Sequence, residues 1–167
     1  MSKKRDHCFV LWADRFDEAT AAIFVTEFRK AGLRTSLVRA AGQNDTGANG
    51  LILVPDMSID ESRGLADRAA CVVIPCNTAA VQQLCIDPRV AEFLDVALAE
   101  DGKLVVGQQV ADMAACSESV GTTEVTLYSE QQSMLRLARR IAHQVANDQP
   151  RLRQKKLRLS LSGPLAL

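Results

Sequence analysis

The side chains able to do chemistry in this chain of 167 residues are chiefly five cysteines, set beside only two histidines. A cysteine thiolate is a nucleophile and a metal ligand, and imidazole is its usual base or co-ligand. Cys8, Cys71, Cys76, Cys85 and Cys116 show no Cys-x-x-Cys pair and no Cys/His ligand spacing. An odd number of cysteines in this pattern argues against a disulfide scaffold and a structural zinc site. His7 and His143 leave little for a Cys–His enzyme, and the sequence calls for no metal and no cofactor. Gly47-Ala48-Asn49-Gly50 has neither the spacing nor the Lys-Ser/Thr of a phosphate-binding loop.

Cys76 is the one thiol whose position suggests reactivity. It follows an apolar run ending at Ile74-Pro75 and precedes a helix that Asn77 or Thr78 would cap. A helix N-terminus can depress a thiol pKa. The simpler reading is a small residue in a turn, because no acid or base partner can be named for it. Cys8 and Cys71 lie inside buried runs and read as small hydrophobes. Cys85 and Cys116 fall near helix ends and carry no signal. Gln108, Gln109 and Asp112 supply amides and a carboxylate, which by default hydrogen-bond one another and nearby backbone.

These residues need elements to hold them, and the chain alternates strand and helix patterns. His7–Ala13 reads as a buried first strand, ended by Asp14. Phe16–Ala31 follows as a helix with Ala19, Ala22, Ile23 and Thr26 on one face, stopped by Gly32. Thr35–Val38 is a second strand, Gln43–Gly50 a loop, and Leu51–Val54 a third strand closed by Pro55-Asp56. Ser58-Ile-Asp-Glu61 is a capping box and predicts a short helix. Ala70–Ile74 is a fourth strand, and Asn77–Cys85 a helix. Asp87-Pro88 restarts a second one to Glu100, and Lys103–Gly107 is a fifth strand. A helix over Val110–Cys116, a strand over Glu124–Tyr128 and a helix over Glu130–Asn147 complete the body. Ser129-Glu-Gln-Gln132 is the expected cap of that last helix, and Met134, Ala138, Ile141 and Val145 fall on one side of it.

Buried strands alternating with helices predict a flavodoxin-like α/β domain: a doubly wound, mostly parallel sheet with helices on both faces. Ligands of such sheets bind outside the carboxyl ends of the strands. The segments to watch are therefore 14–20, 55–58, 75–78 and 108–112. We expect one such domain over residues 1–149 and a basic arm or edge strand over 150–167. Twenty basic residues balance twenty acidic ones. That neutrality argues against wholesale nucleic-acid binding. In the arm, Arg151, Arg153, Lys155, Lys156 and Arg158 accompany Leu157, Leu159 and Leu161 at a strand-like period of two. An arm packed on the body or on a second subunit is the expectation. A small anion or nucleic-acid patch is the alternative. No apolar run approaches a membrane span and no leader pattern is present, so a cytoplasmic protein without membrane contact is expected.

The strand-end segments resemble the ThiJ/PfpI family of the class I glutamine amidotransferase-like superfamily. The residues that carry the resemblance are Phe16-Asp17-Glu18-Ala19-Thr20 ahead of Phe28-Arg-Lys-Ala-Gly32, Leu51 through Asp60, Val72-Val-Ile-Pro75 with Ala79 and Leu84, and Asp87-Pro-Arg-Val90 through Gly102-Lys103. The series spans residues 7–116 in order. The resemblance implies a cysteine at a strand-to-helix elbow, a carboxylic acid on its sulfur, a Pro-Gly-Gly turn lending backbone amides, and a histidine from a later segment.

This chain departs from each of these. The elbow Val105-Val106-Gly107-Gln108-Gln109-Val110 puts Gln109 at the cysteine position, with Val110 after it. An amide is not a nucleophile. Thr20 stands at the acid position, with Asp17 and Glu18 close by. The glycine turn reads Pro75-Cys76-Asn77, and neither His7 nor His143 matches the family's histidine. What the resemblance then implies is a catalytically degenerate member: a binding, regulatory or assembly protein, homodimeric, with a possible protein partner. Its remnant pocket would comprise Asp17, Glu18, Thr20, Cys76, Asn77, Gln109 and Val110. The alternative is a small-molecule hydrolase or glyoxalase-like enzyme using Cys76 as a relocated thiol.

Overall fold

The computed structural model describes residues 4–40, 45–99, 101–108, 123–129 and 133–149. β1 (His7–Trp12) is buried along its whole length, as expected of a central strand of a two-faced sheet. It pairs in parallel with β2 (Arg34–Arg39) on one side and β4 (Ala69–Ile74) on the other. β3 (Met57–Ser58) lies outside β2, and β5 (Lys103–Gly107) and β6 (Val125–Tyr128) extend the other flank. The six-stranded order is β3-β2-β1-β4-β5-β6, with every pairing parallel. The strand order therefore reverses between β1 and β4, which opens a crevice at their carboxyl ends.

Two layers of helix cover this sheet. α1 (Glu18–Lys30) packs with α5 (Met134–Asp148), and α4 (Pro88–Leu98) packs with α2 (Ile59–Arg63) and α3 (Thr78–Ile86). The expected doubly wound α/β fold is the fold observed.

Local chemistry sets several helix starts. Ser58 and Glu61 form the reciprocal capping box of α2. The Ser58 N–H and hydroxyl both donate to the Glu61 carboxylate and hold its pKa below the ordinary value. Asn77 caps α3 by accepting from the Ala80 N–H at 2.9 Å. Asp87 caps α4, with Pro88 in the first turn, where no backbone N–H is needed. At the opposite end of the sheet, the Arg5 guanidinium donates to the carbonyls of Ala69 (2.9 Å), Ala97 (2.7 Å) and Ala99, satisfying the orphan carbonyls at the end of α4.

Three expectations are corrected. Leu51–Val54 is not the third strand. Ile52 makes a single antiparallel bridge to Thr46, and Leu51, Ile52 and Val54 are exposed. The edge of β2 is already occupied, because the Asp56 N–H and carboxylate pair with Leu37 and because Met57–Ser58 pairs with Val38 and Arg39. Pro55, without an N–H, breaks any longer ladder. In α1 the buried apolar residues are Ala21, Phe24, Val25 and Phe28, while Ala19 and Thr26 are exposed. The two phenylalanines carry more apolar area than the small residues of the expected face, and they turn the helix toward the core. The last helix starts at Met134 with Ser133 as N-cap, not at Glu130 under Ser129. Its inward face is Leu137, Ala138, Ile141, Ala142 and Val145, with Met134 partly buried against the core. The expected helix over Val110–Cys116 and the arm over 150–167 lie outside the described residues.

Candidate functional site

The crevice at the carboxyl edge holds a cavity of about 610 Å³. Its described lining comes from four strand ends and one loop: Arg15 and Asp17 after β1, Cys76 and Asn77 after β4, Gly107 and Gln108 at the end of β5, Tyr128 and Ser129 at the end of β6, and Ala48 and Asn49. Parallel strands ending at the switch point bring together residues more than a hundred positions apart.

Each wall is tied down. The Asp17 N–H donates to the Pro75 carbonyl at 2.6 Å, joining the ends of β1 and β4. The Asp17 carboxylate caps α1, accepting from the Thr20 N–H at 2.9 Å and the Thr20 hydroxyl at 2.6 Å. Arg15 is the sole described non-glycine residue at positive φ, at 60°. Its N–H donates to the Thr46 carbonyl at 3.2 Å and its carbonyl accepts from Asn77 Nδ2 at 3.5 Å. Below it, Trp12 and Phe16 stack at 4.6 Å.

Glu18 is buried and faces the loop instead of the cavity. Its Oε1 accepts from the Asn49 N–H at 2.8 Å and the Leu51 N–H at 3.4 Å. Burial raises its pKa, but backbone N–H groups of Glu18, Asn49, Leu51 and Ala48 outweigh that, and the net displacement is downward. Gly47 fits against this carboxylate because it has no side chain. A Cβ there would lie 2.3 Å from Glu18 Oε2. Glu18 is thus a clamp on the loop that supplies the Ala48 and Asn49 wall.

Of the remnant-pocket residues expected from the sequence, Asp17, Cys76 and Asn77 line the cavity. Glu18 and Thr20 are held behind it, and Gln109 and Val110 lie outside the described residues. The Cys76 thiol is buried, with 4% of its surface exposed. Burial pushes its pKa up to about 12, and the Asp17 charge adds to this against a hydrogen bond from the Ala13 N–H. Its N-terminal place on α3 does not overcome desolvation, and burial favours the neutral thiol. Cys8 and Cys71, register partners on β1 and β4, are also free, buried and raised in pKa by desolvation. Cys85, which carried no signal in the sequence, is disulfide-bonded. Disulfide pairing depends on Cβ atoms meeting within about 4 Å, which sequence spacing does not report. Cys116 lies outside the described residues.

Neither histidine lines the cavity. His7 sits at the amino end of β1, and His143 on α5 contacts Asn147 at 2.9 Å. Among the described residues no group of three His, Cys, Asp or Glu side chains is placed to hold a metal ion, and no helix is long and apolar enough to cross a membrane.

The lining residues that sequence reading missed are Ala48, Asn49, Tyr128 and Ser129, and Arg15 lay in the expected segment 14–20 without being singled out. Tyr128, the single tyrosine of the chain, gave a composition signal but no positional one. The structure lays its ring beside Gly107, where an added Cβ would meet it at 3.4 Å.

No family model matches the chain, and no curated protein matches it. Solved structures do. DJ-1beta of Drosophila melanogaster superposes with a TM-score of 0.67 at 15% identity, over 98% of this chain and 100% of that one. A DJ-1 superfamily protein from Salmonella typhimurium, crystallised as a Cys-to-Ala mutant, gives 0.64 at 14% identity, over 93% and 98%. DJ-1 of Schizosaccharomyces pombe gives 0.62 at 13% identity, over 95% and 100%. At these identities the likeness is one of fold, and this chain has the fold of the DJ-1/ThiJ/PfpI superfamily.

Proposed function

We propose that the protein is a catalytically degenerate relative of the DJ-1/ThiJ/PfpI proteins that works by binding, in a regulatory or assembly role. The observation that carries this reading is the state of Cys76. The one described thiol lining the cavity is buried and protonated, and it faces a carboxylate, Asp17, that disfavours its ionisation. A nucleophilic cysteine needs the opposite: a base, a cation or a free helix end that lowers the pKa. Here Asn77 caps α3, both Asp17 oxygens are engaged by Thr20, and no imidazole lines the cavity.

The enzyme reading, a hydrolase or glyoxalase-like activity on Cys76, makes a different forecast. We expect no turnover of methylglyoxal or simple esters that Cys76→Ser removes. We also expect iodoacetamide to label Cys76 as slowly as Cys8 and Cys71 at pH 7.5, read by mass spectrometry. Turnover abolished by Cys76→Ser, or labelling of Cys76 at least 100-fold faster than of its buried neighbours, would overturn the binding reading.

In the same proposal the protein is a homodimer, a reading that exposed Leu51, Ile52 and Val54 support. These are three exposed apolar side chains within four residues, close in sequence to a two-residue edge strand, a pattern that monomers avoid. Sedimentation should show a dimer at micromolar concentration, and Ile52→Lys should shift it to monomer without unfolding. A wild-type monomer at 50 μM would remove this part. A cytoplasmic location rests on the free thiols Cys8, Cys71 and Cys76, with bonded Cys85 as the opposing observation.

A further inference from the structure

Two groups of the described lining have no hydrogen-bond or ion-pair partner among the described residues, and both can donate. Tyr128 is 8% exposed and lines the cavity, and its hydroxyl, which is not among the buried unpartnered polar atoms, opens onto that space with no hydrogen bond to a described residue. The Arg15 guanidinium, also in the lining, has no ion pair or hydrogen bond with a described residue, although its backbone is fastened on both sides. That backbone is in the left-handed region, at φ 60°. A non-glycine residue there is strained, and such strain is kept where it positions a side chain for use. Asp17 is the sole acidic side chain in the described lining, and the Thr20 N–H and hydroxyl already engage its two oxygens. Among the described residues the cavity therefore offers a ligand one unpaired cation, Arg15, one unbonded hydroxyl, Tyr128, and the Asn49, Gln108 and Ser129 side chains.

We propose that this cavity binds a small organic carboxylate, its carboxyl group paired with the Arg15 guanidinium and a second polar group reaching the Tyr128 hydroxyl. This deepens the binding reading above and rests on it. Guanidinium and carboxylate match as a two-point, charge-assisted pair. The volume, about 610 Å³, suits a metabolite-sized molecule better than a polymer.

The test uses the full chain and a set of probes: lactate, malate and glutarate, each beside its neutral amide, followed by amide chemical shifts in NMR titrations. The carboxylates should move Gly107 and Tyr128 and saturate, with the amides at least 10-fold weaker. Arg15→Gln should weaken the carboxylates at least 10-fold and leave the amides unchanged. Tyr128→Phe should weaken the carboxylates about 3- to 10-fold. Arg15→Gly should abolish carboxylate binding and raise Tm by about 2 °C, since glycine adopts φ 60° without strain. A merely structural arginine would instead lower Tm when removed. Amides binding as tightly as carboxylates, or Arg15→Gln without effect, would overturn the carboxylate assignment while leaving a binding pocket. If no probe binds at 100 mM, both the assignment and the binding reading fall.

Discussion

Lowering the pH from 7.5 to 5 should weaken the fold by about 2 kcal/mol through one residue, His7. Its imidazole is buried at the amino end of β1, stacked on Phe9 at 4.3 Å, with Nε2 against the Ser36 hydroxyl at 2.8 Å and Nδ1 without a partner. Burial, helped by the Arg34 and Arg68 charges against those of Asp6 and Asp56, lowers its pKa to about 4. The folded protein therefore keeps the ring neutral, while the unfolded chain protonates it near 6.5. The unfolded state binds more protons between those values, so stability is complete above about pH 6.5. It falls as the pH drops toward 4, by about 3 kcal/mol in all. Urea titrations at pH 7.5 and pH 5 measure the difference. His7→Phe keeps the stack on Phe9 and removes the titration, so its two midpoints should agree far more closely than those of the wild type. An equal acid loss in this variant would assign the effect elsewhere. The carboxylates held below their ordinary pKa, at Asp6, Glu18, Glu27, Glu61 and Asp87, act in a lower window. They stabilise above the unfolded carboxylate pKa and lose that contribution as the pH falls through about 4 and below.

The second large effect concerns the loop clamp. Glu18→Ala should destabilise by about 2–3 kcal/mol, because it leaves the Asn49 and Leu51 N–H groups without their acceptor and opens a buried space. Gly47→Ala alone should destabilise by about 2 kcal/mol, since its new methyl would fall 2.3–2.7 Å from the Glu18 carboxyl and Cβ. The two effects share one contact and so will not add. In the Glu18→Ala background the carboxyl contacts are gone but the 2.7 Å contact with the retained Cβ stays, so the second substitution should cost clearly less than it does alone without becoming neutral. Thermal or urea unfolding of the four proteins in the cycle measures the coupling. Full additivity would show that Gly47 and Glu18 are not packed on each other. Both variants should also loosen the Ala48 and Asn49 wall of the cavity.

Features set by neighbours along the chain were legible beforehand. The Ser58–Glu61 box, the Asn77 cap, the stop at Gly32 and the buried runs of β1, β4 and β5 each depend on a few adjacent residues. Leu51–Val54 looked as apolar as those strands. Its fate depended on which segment took the open edge of β2, and that is a competition between distant parts of the chain. The acidic cluster 17–18 was visible, but the division of labour within it was not. Asp17 caps a helix and Glu18 clamps a loop thirty residues away, because the two side chains leave the same turn in different directions.

By itself, then, the amino-acid order determined an alternating α/β domain with its site at the strand ends and Cys76 beside it. Hydrophobic periodicity and capping are local and survive without a partner. Only the tertiary structure decided that Cys76 is desolvated, and that Arg15 and Tyr128 share a cavity. Burial and convergence arise when four strand ends from across the chain are brought to one edge, and no local pattern encodes that meeting.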